Sequence, residues 1–311
     1  MEDIILFESV AETTLFKSID INAKSILEPY FELVDYEACE YCFATLYMWK
    51  NVYNTVYYVE DDFAIVSGEY EGSDFVVLPL ATKENMSKAI DFILTYFKNE
   101  EKKVHLRAIT KEIVDFMKKK YPRKFEYIEE RDYFDYVYNG ESLRTLAGRK
   151  NQKKRNHINY FLKEYDNRFE YKKLEENNQF EECIVLLNEW SQGSEDSEGF
   201  KDEFEAIKRL FNHYDELKNK LKIGGIYVDS KLEAFSIGEM LNDNMAVIHI
   251  EKANPSIRGL YPYINQQFLV NEFSDVEFIN REEDLGIEGL RKAKLSYHPS
   301  RFVEKYTVLE I

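Results

Sequence analysis

Met245-Ala246-Val247-Ile248-His249-Ile250-Glu251-Lys252-Ala253-Asn254-Pro255-Ser256-Ile257-Arg258-Gly259-Leu260 begins as a strand and ends in a turn carrying one Pro, one Arg and one Gly. Residues 261–273 continue with helical spacing. A strand that gives way to a glycine-bearing turn at a helix start offers unpaired N–H groups and a favourable dipole to pyrophosphate. The same residues also make an ordinary turn and helix start. Upstream, residues 223–228 and 232–240 read as strands joined across Asp229-Ser230. They follow a strand-like stretch at 169–174 and helical runs at 180–190 and 204–217. Downstream come a strand at 276–279, a helix at 287–297 and an extended segment at 302–311.

The first half has the same order. Helical spacing covers 21–34 and 39–49, strand-like segments cover 56–59, 63–66 and 75–80, then helix 86–97, strand 104–109, helix 111–121 and an extended, Tyr- and Phe-rich stretch at 125–138. Residue identity between the halves is not evident, so the repeat is one of architecture. Hairpins followed by strand–helix–strand units imply an α/β (α+β) protein with two mixed β-sheets flanked by helices, one per half. The boundary is expected near Gly140, giving halves 1–140 and 141–311.

The chain has 311 residues and a formal charge of −17, which argues against polyphosphate partners unless the charge is uneven. It is uneven. The first half carries −11 and the second −6, and residues 142–163 contain seven cations and no acid. On a helix, Lys150, Lys154 and His157 share one face and Arg149, Lys153 and Asn156 the next, and Arg155 belongs to the same acid-free run. This ridge reads either as a phosphate-binding surface for a nucleotide or RNA, or as a solvated helix end. The longest uncharged stretch, 259–271, is too short and polar for a membrane span of about 20 apolar residues. Three cysteines form no disulfide scaffold, the amino terminus has no basic leader, and a cytoplasmic location is expected.

Chemistry is expected at the end of the 276–279 strand, in the charged run Asn280 to Lys294. Helical spacing puts Lys294 on the stripe of Ile287 and Leu290 with Arg291 beside it, and an inward cation needs a partner, Glu283 or Asp284. A structural ion pair, with Asp284 capping the helix, is the plainer alternative. His249 and Glu251 alternate onto one strand face and suggest a proton-handling pair, although a lone strand histidine is more often a satisfied structural residue. Cys39 and Cys42 have metal-pair spacing without a second pair, which favours small-hydrophobe packing, and no metal is expected. The acidic stretch 194–205 reads as solvated loop or lid.

Leu146-Ala147-Gly148-Arg149-Lys150-Asn151-Gln152-Lys153-Lys154-Arg155-Asn156-His157-Ile158-Asn159 forms one characteristic block. Phe278 to Gly286 running on to Leu290-Arg291-Lys292-Ala293-Lys294 and Pro299 forms another. Both resemble soluble proteins related to the C-terminal domain of phosphatidylglycerol lysyltransferase, over nearly the whole chain. The resemblance implies a tandem GNAT fold and transfer of an acyl or aminoacyl group from acyl-CoA or aminoacyl-tRNA. The acceptor would be an amine or hydroxyl on a small molecule, peptide or lipid headgroup. It also implies that Ser256, Arg258 and Gly259 match the fold's pyrophosphate-binding turn, here thinned to one glycine.

Such a transfer needs a donor clamp, a proton acceptor and stabilisation of the tetrahedral oxyanion. The expected clamp is Ser256, Arg258, Gly259 and Leu260 with Lys150, Lys154, Arg155 and Asn156 of the ridge. Lys294 and Arg291 are expected to stabilise negative charge, Glu251 or Glu283 to accept the proton, and Asp284 to partner the cations. The rival reading is a non-catalytic nucleotide- or polyanion-binding module that retains the fold.

Overall fold

Alternating apolar residues and glycine-bearing turns build the strands of the first half, and amphipathic spacing builds its helices. The computed structural model describes residues 15–191 and 197–311. In order these are β1 (Lys17–Ser18), α1 (Ala23–Phe31), α2 (Phe43–Met48), β2 (Val56–Glu60), β3 (Phe63–Tyr70), β4 (Ser73–Ala81), α3 (Met86–Asn99), β5 (His105–Thr110), α4 (Lys111–Lys120), β6 (Phe125–Glu129) and β7 (Asp135–Asn139). The second half supplies α5 (Gly140–Thr145), α6 (Gln152–Glu164), β8 (Phe169–Lys173), α7 (Asn177–Ser191), α8 (Ser197–Asn212), α9 (Tyr214–Leu217), β9 (Leu221–Val228), β10 (Lys231–Asn242), β11 (Met245–Ala253), α10 (Leu260–Glu272), β12 (Phe278–Asn280), α11 (Glu288–Leu295), β13 (Arg301–Val303) and β14 (Lys305–Glu310). The acidic stretch read as a loop or lid runs into α8 from Ser197, and its residues up to 196 lie outside the described ones.

Two seven-stranded mixed sheets result, ordered β1-β2-β3-β4-β5-β14-β6 and β13-β7-β12-β11-β10-β9-β8. The extended stretch 125–138, expected in one sheet, is divided: β6 stays in the first sheet and β7 pairs with β12 and β13 in the second. The closing stretch 302–311 is divided the other way, with β14 inserted between β5 and β6. Each sheet therefore contains a strand from across Gly140.

The second sheet is covered on both faces. Leu260, Ile264, Phe268 and Phe273 of the α10 region pack with Phe161 of α6 and Leu143 of α5 on one side. Phe180 and Leu187 of α7 and Ile207 and Leu210 of α8 lie on the other, in a core that also takes in Tyr47 and Met48 of α2. Burying each such side chain contributes about 1.5–3 kcal/mol.

The site is positioned by a splay. Parallel strands β11 and β12 pair over three residues only, Met245–Val247 against Phe278–Asn280. Beyond Val247, β11 continues to Ala253 while the chain after Asn280 turns towards β7 through Arg281 and Glu282. In the first sheet β4 and β5 touch through the single pair Val76 and Leu106.

Candidate active site

The splay exposes one edge of β11 beside the segment 281–287. This segment is strained at Glu282 and Leu285, with φ of 56° and 52°, conformations that persist where surrounding contacts over-determine them. Asn280 Oδ1 accepts from the Glu282 N–H at 2.7 Å and Asp284 Oδ1 from the Gly286 N–H at 2.9 Å. Lys294 adds a further hold. Its Nζ donates to the backbone carbonyls of Arg281 and, at 3.1 Å, Glu282. Its partner is therefore neither Glu283 nor Asp284, because strand-end carbonyls take the ammonium. Burial and the neighbouring Arg281 hold Lys294 below the ordinary lysine range, against the pull of Glu282, Glu283 and Asp135. Ile287 and Leu290, the stripe Lys294 was expected to share, are 56% and 36% exposed; α11 turns Lys294 and Tyr297 inward instead.

Asp284 belongs to a separate network. Arg291 holds it through Nε at 2.9 Å and Nη2 at 2.7 Å, and the Tyr136 hydroxyl donates to it as well. Although burial opposes ionisation, these contacts bring Asp284 down to about 2. Arg291 also reaches Asp132 at 2.6 Å, so both members of the pair are committed within this network.

Glu283 falls in a third network. Lys305, fully buried, lies 2.7 Å from Asp135, 2.8 Å from Glu40, 3.4 Å from Cys39 Sγ and 3.8 Å from Glu283. Asp135 further accepts from the Cys39 N–H and from Asn280 Nδ2, at 2.8 and 2.9 Å. Burial, then the charges of Asp135, Glu282 and Glu40, raise Glu283 to about 7 in spite of Lys305.

Glu251 faces the splay from β11. It accepts from Arg281 Nη2 at 3.1 Å and Asn265 Nδ2 at 2.8 Å. Arg281 lies 4.8 Å from the Tyr297 ring centre, and Lys154 of α6 covers the same ring at 3.9 Å. Burial, Arg281 and Lys153 bring Lys154 down to about 8. Thus Glu251, Arg281, Lys154 and Tyr297, from four distant stretches, form one cluster. Asn265 Oδ1 and Arg281 Nη1 are buried within it without a hydrogen-bond partner.

His249 and Glu251 do not share a face. Ile237 of β10 pairs with Ile250 and Gly238 with Ile248, so His249 is the extra residue of a bulge. A bulge reverses alternation and re-aims side chains. Ile248 accordingly lies in the α10 core and Ile250 in the α7–α8 core. His249 contacts Glu239 at 3.1 Å and Glu282 at 2.9 Å, while Glu251 reaches α10.

The turn at 254–260 meets the ridge at the splay's far end. Gly259 has φ of +91°, and a Cβ there would stand 2.1 Å from the His157 carbonyl oxygen of α6; only glycine allows this approach. Arg258 is exposed and lies 4.5 Å from the Tyr160 ring centre. Ser256 donates through N–H and hydroxyl to Asn254 Oδ1. Leu260 contributes less than expected: its N–H is spent on the Ile257 carbonyl at 3.2 Å and its side chain is core. Pro262 has no N–H, which removes a second donor from the first turn of α10.

On the ridge, Arg149, Lys150, Lys153 and Asn156 are exposed. Among the described residues, Arg149, Lys150, Lys153, Lys154 and Arg258 make no ion pair, whereas Arg168 nearby in sequence pairs with Asp229. Burial and the cations Arg258, Lys153 and Lys154 hold His157 below its ordinary range. Asn156 accepts from Gln152 Nε2 at 2.8 Å. Arg155 is committed elsewhere: it donates to the carbonyls of Leu146 and Gly148, closing the end of α5.

Sequence reasoning missed Arg281 as the partner of Glu251, and it missed Lys305, Asp135 and Glu239 altogether. A lysine alternating with the apolar Val303 and within the extended stretch 302–311 was the available signal for Lys305.

Among the described residues no helix is long and apolar enough to cross a membrane. The chain is 31% identical to a conserved protein of unknown function from Bacteroides thetaiotaomicron VPI-5482, whose crystal structure superposes with a TM-score of 0.89 over 95% of this chain and 99% of that one. It is 30% identical over 179 residues to an uncharacterized protein of Mycoplasmoides gallisepticum; the match spans 56% of this chain and about half, 55%, of that protein's length. L-PGS from Bacillus licheniformis has a TM-score of 0.67 at 13% identity, over 92% of this chain and 91% of its own. A tandem GNAT protein from the clavulanic acid biosynthesis pathway has 0.50 at 6% identity, over 95% and 97%. The fold is therefore GNAT-like and tandem. Residues 31–309 match the family described as phosphatidylglycerol lysyltransferase, C-terminal, and the chain belongs to that family.

Proposed function

We propose that the chain transfers an acyl or aminoacyl group from a nucleotide-bearing donor to an amine or hydroxyl acceptor in the splay of the second sheet. The observation that carries this reading is the single cluster of Glu251, Arg281 and Lys154 beside an unpaired strand edge, with unneutralised cations at its mouth. The exposed Arg258 and the ridge residues Lys150 and Lys154 would take the donor phosphates, with Gly259 allowing close approach. Ser256 shapes that turn through Asn254. Glu251, exchanging Arg281 for the acceptor, would take the proton, and Arg281 would then meet the developing oxyanion.

Lys294 acts as a positioning residue that holds the carbonyls of Arg281 and Glu282. Asp284 and Arg291 brace the strained segment, and Glu283 remains a second candidate for proton transfer because it titrates near neutrality. The orphaned Asn265 Oδ1 and Arg281 Nη1 support a polar ligand here, since a buried unpaired polar atom costs about 1–3 kcal/mol. Acyl-CoA and aminoacyl-tRNA both fit the donor chemistry. The family name makes lysyl transfer to a phosphatidylglycerol headgroup one specific form of the reaction, and exposed Leu285, Ile287, Leu290 and Leu295 beside the site suit an amphiphilic acceptor.

The test is binding and turnover with acetyl-CoA, CoA and charged tRNA, using an amine, a peptide and phosphatidylglycerol vesicles as acceptors. Arg258→Ala is expected to weaken donor binding about tenfold, and Glu251→Gln to cut turnover at least 100-fold with donor binding retained. Salt-dependent polyanion binding indifferent to Arg258, with no turnover on any pair, would make the chain a binding module instead.

A further inference from the structure

We propose that Cys42, Glu239 and His249 form a binding site for one divalent transition-metal ion of the zinc class. Each offers one ligand atom, the three lie within 4.8 Å of one another, and all three residues are buried. Zinc ligands at about 2.0–2.3 Å from the ion stand about 3.3–3.8 Å apart in a tetrahedral site, so closing the cluster needs only side-chain adjustment. Thiolate, imidazole and carboxylate together select a borderline ion over magnesium or calcium.

The surroundings are built for that ion. His249 Nδ1 lies 2.9 Å from Glu282 Oε1, which would retain the Nδ1 proton and leave Nε2, 3.1 Å from Glu239 Oε1, as the nitrogen an ion takes. This is the carboxylate–histidine arrangement that orients metal-bound imidazoles. The bulge in β11 aims His249 at the cluster, and Thr45 Oγ1, 3.2 Å from Cys42 Sγ, can donate to a thiolate. A narrow cleft lined by Lys24, Glu28, Phe43 and Leu241 reaches Cys42 and Glu239 from the surface.

The neighbouring cluster of Cys39, Asp135 and Glu283 has similar donors but already holds a cation, the Lys305 ammonium. In the Cys42 cluster the charge facing Glu239 is the imidazolium of His249 itself. Against the cost of burial, Cys42, Glu239 and Glu282 hold that imidazolium well above the ordinary histidine range. A metal-bound cysteine is a thiolate, so the ion displaces the Cys42 proton as it binds. Binding would release two protons to solvent, from Cys42 Sγ and His249 Nε2. The thiolate, the Glu239 carboxylate and the divalent ion then sum to zero charge. Three protein ligands leave one tetrahedral position for water.

The full chain is titrated with cobalt(II), followed by its absorption spectrum, and the cobalt is then competed with zinc. One cobalt per chain is expected, with a thiolate-to-cobalt charge-transfer band that zinc abolishes. Cys42→Ser should remove the band and weaken zinc binding at least tenfold, whereas Cys39→Ser should retain both. Glu282→Gln should keep the band and weaken binding about 10–100-fold. If Cys42→Ser does not fold, Glu239→Gln serves in its place, with the band shifted and affinity lowered at least tenfold. The proposal is overturned if wild type binds neither ion stoichiometrically, or if the band survives in Cys42→Ser and is lost in Cys39→Ser.

Discussion

Lys305→Met probes a fully buried cation. The Lys305 side chain is 1% exposed and that of Asp135 is 0%, and they are 2.7 Å apart. Methionine fills most of the volume but leaves Asp135 with only the hydrogen bonds from Cys39 and Asn280. Removing one member of a buried pair costs about 3–5 kcal/mol, because the other charge stays behind uncompensated. Unfolding entropy of about 2.1 cal/mol/K per residue gives about 0.65 kcal/mol/K for this chain. Differential scanning calorimetry should therefore show the melting temperature falling by about 5–8 °C. Adding Asp135→Asn removes the orphaned charge, while Glu40 and Glu283, both raised in the folded state, can take up protons. The double variant should recover at least about 1 kcal/mol relative to additivity. A single variant that melts within about 1 °C of wild type, or a double variant that is simply additive, would refute the reasoning.

Glu283 titrates near 7 when folded and near 4.5 when unfolded, so the folded state binds the extra proton between those values. Stability should fall as pH rises through that window, and Glu283→Gln should flatten the slope in urea titrations; an unchanged slope would assign it to other groups. Gly259→Ala combines a left-handed φ with a clash against the His157 carbonyl, and should cost about 2 kcal/mol or more, read by thermal melting together with weakened donor binding. Arg291→Gln should lower the melting temperature by a few degrees without changing donor affinity. A variant equally stable but inactive would return Arg291 to the chemistry.

Periodicity exposed the repeated order of elements because alternation and helical spacing are local properties. Partners of a strand are not local. Nothing within residues 135–139 or 305–310 says which sheet they join, so the exchange of β7 and β14 was invisible. The acid-free ridge and the Gly259 turn were legible as composition and spacing, and their meeting at His157 was not. The bulge at His249 defeated the expected pairing with Glu251, since one extra residue reverses every face after it. Lys294 was rightly read as an inward cation, but its acceptors are backbone carbonyls, which a sequence does not display. The Lys305 network joins residues as far apart as Cys39 and Lys305, beyond the reach of any motif.

The inserted strand β14 also governs the order in which the protein can be made. Until residues 305–310 emerge from the ribosome, β5 and β6 lack their common neighbour and leave two unpaired edges. The first sheet must therefore wait for the second half to be synthesised before it closes, a high-contact-order step that favours slow completion. A nascent or truncated chain lacking that strand should depend on chaperones and aggregate through those edges.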